Sequence, residues 1–117
     1  MKYTHYSPKA NVIIVEGDLK RVANRINELI REYSAKGVRV GVLATEQTKE
    51  LYAFDQVISM GDRENPETIA ANLFSLLREF DVRNVQFIFA EGIESTGIGL
   101  AVMNRMNRAA GFNIIKV

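Results

Sequence analysis

A chain of 117 residues, 47% of them hydrophobic, has the size of one domain and can bury roughly two thirds of the surface it exposes when unfolded. It contains no cysteine, which excludes disulfides, thiolate metal sites and cysteine nucleophiles and fits a reducing compartment. The net charge of +1 supplies no basic field for nucleic acid, no apolar run approaches the ~20 residues of a membrane span, and the polar N-terminus has no signal-peptide core. These features predict a cytoplasmic domain without membrane or direct nucleic-acid partners.

Residues 1–10 are polar and aromatic, contain Pro8 and show no helical period, so an extended arm is expected ahead of a domain at 11–117. Asn11 to Val15 is a short β-branched strand bounded by Glu16-Gly17. Asp18 suits an N-cap, and Leu19, Val22, Ala23, Ile26, Leu29, Ile30 and Tyr33 then recur at helical spacing until Gly37. Val38 to Ala44 is a second strand, in which Gly41 suggests close approach to the backbone by a neighbouring element. Thr45 or Thr48 can cap one helical turn carrying Leu51, Tyr52 and Phe54, before a short strand at Gln56 to Ser59. Asn65-Pro66 opens a helix with apolar face Ile69, Ala70, Leu73, Leu76, Leu77 and Phe80. Val85 to Ala90 is a strand, Ile98 to Ala110 a helix stopped by Gly111, and Phe112 to Val117 the last strand.

Apolar strands separated by amphipathic helices predict an α/β, three-layer, Rossmann-like domain with a mostly parallel sheet of about five strands. Two units also echo each other: VIIVEG at 12–17 against FIFAEG at 87–92, and Asn24-Arg25-Ile26-Asn27 against Asn104-Arg105-Met106-Asn107. The echo reads either as a duplicated half or as a coincidence of common strand endings.

In such a sheet, ligands bind beyond the carboxyl ends of the strands. The loop at 91–99 is the candidate there: Glu91, Gly92, Gly97 and Gly99 lead into a helix start, whose free backbone donors can hold phosphate. It lacks both the Lys-Ser/Thr pair of a P-loop and the third glycine of the dinucleotide fingerprint. The field of Glu16, Asp18, Glu46, Asp62, Glu64, Glu91 and Glu94 opposes an anion, so the glycines equally suit a turn and close helix packing. The same carboxylates could attract magnesium, but nothing in their spacing defines a metal site, and no metal ligand is assigned. Arg105, beside Asn104, falls on the shoulder of its helix, either paired with Glu91 or Glu94 or snorkelling to solvent. With one histidine, His5 in the arm, and no Gly-x-Ser-x-Gly turn, no complete catalytic set is contained in the chain.

The arm is more specific than the body. In an extended segment Tyr3 and His5 face one way and Thr4 and Tyr6 the other, and Pro8 holds Ser7 extended. Rings, a histidine and Lys2 in this order suit docking into a polar cleft.

At Lys2-Tyr3-Thr4-His5-Tyr6-Ser7-Pro8 the sequence resembles the interdomain linker of the threonylcarbamoyl-AMP synthases, the two-domain YrdC-type enzymes of tRNA threonylcarbamoyladenosine biosynthesis. That linker reads Lys-Tyr-x-His-Tyr-(Ala/Ser)-Pro-x-x-Pro, and Asn11 stands where its final proline usually falls. The likeness continues through Pro66 to Phe74, Ala90-Glu91-Gly92 and Gly99 to Arg105, and so covers essentially the whole chain. The resemblance implies an accessory C-terminal domain, with no cofactor of its own. Its parent would condense threonine, bicarbonate and ATP, with Mg2+, into threonylcarbamoyl-AMP and pyrophosphate. The partner would be the catalytic YrdC-type domain of the same chain, whose active site Lys2, Tyr3, His5, Tyr6 and Pro8 would contact. Two other readings stand beside it: a self-sufficient small-ligand or nucleotide module using Glu91, Gly92, Gly97, Gly99, Asn104 and Arg105, and a purely interfacial domain.

Overall fold

The computed structural model describes residues 7–117. In chain order, β1 is Asn11–Glu16, α1 Leu19–Ala35, β2 Val40–Ala44, β3 Val57–Ser59, α2 Pro66–Val82, β4 Phe87–Glu91, α3 Ile98–Ala109 and β5 Ile114–Lys116. A single 3-10 turn, Lys49–Leu51, lies between β2 and β3. All four strand pairings are parallel, in the order β3-β2-β4-β1-β5. The predicted α/β sheet of five strands is therefore present.

Right-handed crossovers place α1 on one face of the sheet and α2 and α3 on the other. Strand residues divide accordingly. Ile14, Leu43, Ile88 and Ala90 pack with Ile69, Leu73, Leu77, Phe80, Val102, Met103 and Met106. Val15, Val42, Ala44 and Phe89 pack with Val22, Ala23, Ile26, Leu29 and Tyr52. Both faces of the central strands are covered, which is why their sequences read as continuous apolar runs.

Three strands begin two residues later than the hydrophobic pattern predicts, each because the backbone leaving the preceding helix is not yet extended. The amide of Val38 bonds the carbonyl of Tyr33 at 3.1 Å, and that of Val85 bonds Phe80 at 3.0 Å, so both close helix ends before the ladder starts. Phe112 adopts φ 61°, outside the β region, so β5 begins at Ile114. Gly37 takes the left-handed φ of 76° beyond α1, and Asp18 accepts from the amide of Arg21 at 3.3 Å as its cap. Asn65 occupies the N-cap position of α2 without a side-chain capping bond. At Gly41 the neighbouring element that comes close is α2, through the ring of Phe80: an added Cβ would lie 2.6 Å from its Cε1.

The echoing segments lie side by side as β1 and β4, but one residue out of step. Val15 pairs with Glu91, and the amide of Gly92 donates to the carbonyl of Val15 at 2.9 Å. Glu16 and Glu91, matched in sequence, consequently face opposite sides of the sheet.

Candidate functional site

β4 delivers Glu91 to the carboxyl edge of the sheet, where it is fully buried, at 0% exposure. The chain after β2 turns back on itself to meet it, the amides of Thr48 and Lys49 bonding the carbonyl of Thr45 at 3.0 and 2.9 Å. This turn aims three hydroxyls at the carboxylate. Thr45 Oγ1 donates to Oε1 at 3.0 Å, while Thr48 Oγ1 and the Tyr52 hydroxyl each donate to Oε2 at 2.5 Å. Thr48, expected as a helix cap, makes no capping bond with its side chain and serves Glu91 instead.

The fourth donor comes from the loop after β3. Nη2 of Arg63 lies 3.0 Å from Glu91 Oε1, and its Nε donates to Thr45 Oγ1, also at 3.0 Å. The pair is largely desolvated, with the side chain of Arg63 15% exposed and that of Glu91 0%. The two loops are stitched together outside it. The amide of Arg63 donates to Gln47 Oε1 at 3.0 Å, that of Glu46 to the carbonyl of Gly61 at 2.9 Å, and Gln47 Nε2 to Asp62 Oδ1 at 2.5 Å.

This environment sets the local acid–base chemistry. Burial, and then the adjacent Glu91 carboxylate, raise Tyr52 far above the ordinary phenol range, so its hydroxyl remains a donor. The hydrogen bond from Gln47 and the amide of Glu64 lower Asp62, and the hydrogen bond from Lys49, then one from Ser59, lowers Glu46. With donors on both oxygens from four side chains, Glu91 cross-links three loops and is shielded from acting as a general base on a bound molecule.

Beside this network is a cleft of about 540 Å3, bounded by Glu16, Gly17, Leu19, Arg63, Glu64, Pro66, Gly92, Ile93 and Glu94. It lies between the ends of β1 and β4, whose chains leave to opposite faces of the sheet, the position at which α/β sheets open a crevice. Two glycines keep its floor tight: a Cβ on Gly92 would sit 2.8 Å from that of Glu16, and one on Gly17 would sit 2.4 Å from the carbonyl oxygen of Val117.

The structure gathers only part of the predicted loop set. Gly92 and Glu94 reach the cleft, while Glu91 is buried at the end of β4 beside it. Gly99 is a packing residue, its added Cβ falling 2.1 Å from the carbonyl oxygen of Glu94, and Gly97 supplies a φ of 56° before α3. Asn104 and Arg105 are further along α3, around a separate shallow depression with Ala101 and Arg108. Of the readings open for Arg105, pairing with Glu91 is not the one found, since Arg63 holds that carboxylate. Strand order brings the loop after β3 across β2 to the end of β4, whereas Arg105 lies two turns into α3. Among the arm residues, Lys2, Tyr3, His5 and Tyr6 lie outside the described residues, and Pro8 is half-buried.

Sequence reasoning missed Thr45, Thr48, Tyr52 and Arg63 as one group. Thr45, Thr48 and Tyr52 fall at helical spacing, which could have put them on one face of a turn; Arg63 had no signal, because its relevance depends on strand order. Among the described residues, no group of three or more His, Cys, Asp or Glu side chains could hold a metal ion. Likewise, no helix among them is long and apolar enough to cross a membrane.

The family model described as "Threonylcarbamoyl-AMP synthase, C-terminal domain" matches residues 1–111. The chain is 49% identical over 116 residues to the threonylcarbamoyl-AMP synthase of Bacillus subtilis, covering 99% of this chain and 32% of that protein. The crystal structure of Pyrococcus abyssi Sua5 complexed with L-threonine superposes with a TM-score of 0.85 at 47% identity, over 100% of this chain and 33% of that one. The C-terminal Sua5 domain of Pyrococcus horikoshii gives a TM-score of 0.76 at 40% identity, over 95% of this chain and all of that one. The chain thus spans about a third of the length of its full-length relatives, at their C-terminal end. Fold, sequence match and coverage agree: the chain belongs to the threonylcarbamoyl-AMP synthase family, as the C-terminal domain of its proteins.

Proposed function

We propose that this domain anchors a linker that closes over the active site of a YrdC-type catalytic domain preceding it. That parent would form threonylcarbamoyl-AMP and pyrophosphate from threonine, bicarbonate and ATP, for tRNA modification in the cytoplasm. The observation that carries the reading is the fixed root of the arm. The amides of Lys9 and Ala10 donate to the Asp81 carboxylate at 3.0 to 3.2 Å, and Ala10 is 6% exposed in the core. The root of the arm at Lys9 and Ala10 is therefore held near the end of α2, at the amino-terminal edge of the sheet and away from the cleft.

The body offers little of the chemistry itself. ATP and Mg2+ do not fit the described residues: they include no cation-binding carboxylate group, and Glu16, Glu64 and Glu94 around the cleft would repel a triphosphate. Both are assigned to the catalytic domain. Lys2, Tyr3, His5 and Tyr6 would reach that domain as an extended strand, donating hydrogen bonds and excluding water from the closed site.

Hydrogen exchange on the two-domain protein tests this reading. Amides in residues 2–7 are expected to gain protection when threonine and ATP are added. Unchanged exchange with both substrates bound would overturn it.

A further inference from the structure

We propose that the cleft at the carboxyl edge of the sheet is a binding site for a small zwitterion, an α-amino acid, held by its two opposite charges. The proposal stands on what faces the cavity. Arg63 lines one wall, its guanidinium fixed by Glu91 and Thr45 through Nη2 and Nε. Two of its five N–H groups are thus committed, and three remain for a ligand in the cavity that Arg63 lines. The residues lining the other walls include the acidic Glu16, Glu64 and Glu94.

Charge selects among ligand classes. Arg63 is already neutralised by Glu91, so the surplus charge around the cavity is negative, which disfavours phosphates and nucleotides. The carboxylates do not converge into a cation-binding group, which disfavours a metal ion. A ligand carrying both signs meets each requirement. Its carboxylate receives charge-assisted hydrogen bonds from a guanidinium that is already oriented, and its ammonium donates to the acidic rim. The volume of about 540 Å3 is within the range of small-molecule sites and leaves room for a side chain over Leu19, Pro66 and Ile93. The inference is independent of the arm, which leaves from the other edge of the sheet.

The test is calorimetric titration of the 117-residue chain; a relative's domain of the same extent forms a crystal structure by itself, so folding without a catalytic domain is expected. The probes are free L-amino acids, the N-acetyl derivative and the amide of the tightest of them, AMP, and inorganic phosphate. Saturable binding of an amino acid, weakened at least ~10-fold by capping either end, is the expected result. Leu19→Trp, which fills the cavity without changing its charge, should abolish that binding while leaving the fold intact. The proposal is overturned by flat titrations with every amino acid, or by an amide or N-acetyl derivative that binds as well. Preferred binding of AMP or phosphate, or unchanged binding by a folded Leu19→Trp, would also overturn it. None of these results bears on whether the arm closes a catalytic site.

Discussion

Replacing Arg63 with alanine strands a charged side chain in the interior. Glu91 is wholly buried and its only cationic neighbour in the network is Arg63, itself 15% exposed. Breaking a buried ion pair on one side costs ~3–5 kcal/mol. The lower end applies, because Thr45, Thr48 and Tyr52 still donate to the carboxylate and the vacated space adjoins an open cleft. With an unfolding entropy of ~2.1 cal/mol/K per residue, a domain this long loses ~4 °C of melting temperature per kcal/mol, so a fall of ~12 °C is expected by calorimetry. Adding Glu91→Gln to Arg63→Ala should recover at least ~1 kcal/mol, since the amide no longer carries the uncompensated charge. A fall below ~3 °C in the single variant, or no recovery in the double, would refute the view that Arg63 neutralises a dry carboxylate.

Three further perturbations probe the same framework. Tyr52→Phe should cost ~1–2 kcal/mol at neutral pH through the lost donor to Glu91, read by urea denaturation. Because Tyr52 is raised in the folded state, its contribution is complete below the unfolded value of ~10 and falls as pH climbs above it; a parallel decline in Tyr52→Phe would contradict this. Gly41→Ala should destabilise by ~1–3 kcal/mol because the Phe80 ring is in the way, and Phe80→Leu added to it should restore part of the loss. Asp81→Ala should hasten tryptic cleavage after Lys9 at a stability cost of only ~1 kcal/mol, whereas unchanged cleavage would show that the carboxylate does not hold the root.

The fold was legible where local chemistry and tertiary packing agree. Asp18 and Gly37 mark the ends of α1, Pro66 opens α2, and the VIIV and FIFA runs are strands because helices cover both of their faces. Starts were less legible where a helix end borrows the following amides, as at Val38 and Val85. Strand order was not legible at all, and with it went the partner of Glu91. Arg63 and Glu91 are far apart in sequence and meet only because β2 lies between β3 and β4. A carboxylate at a strand end looked like a ligand-facing group; three hydroxyls and a guanidinium make it a cross-link. The linker motif was legible by resemblance, while the described part of the arm contributes its anchor at Asp81 rather than its chemistry.

If residues of the arm act on another domain, the two-domain protein should report it in its release of pyrophosphate. Tyr3→Ala together with His5→Ala should slow threonine-dependent pyrophosphate release at least ~10-fold, while the melting transition of this domain stays where it is. Wild-type rates from a variant lacking both side chains would show that the arm takes no part in the reaction.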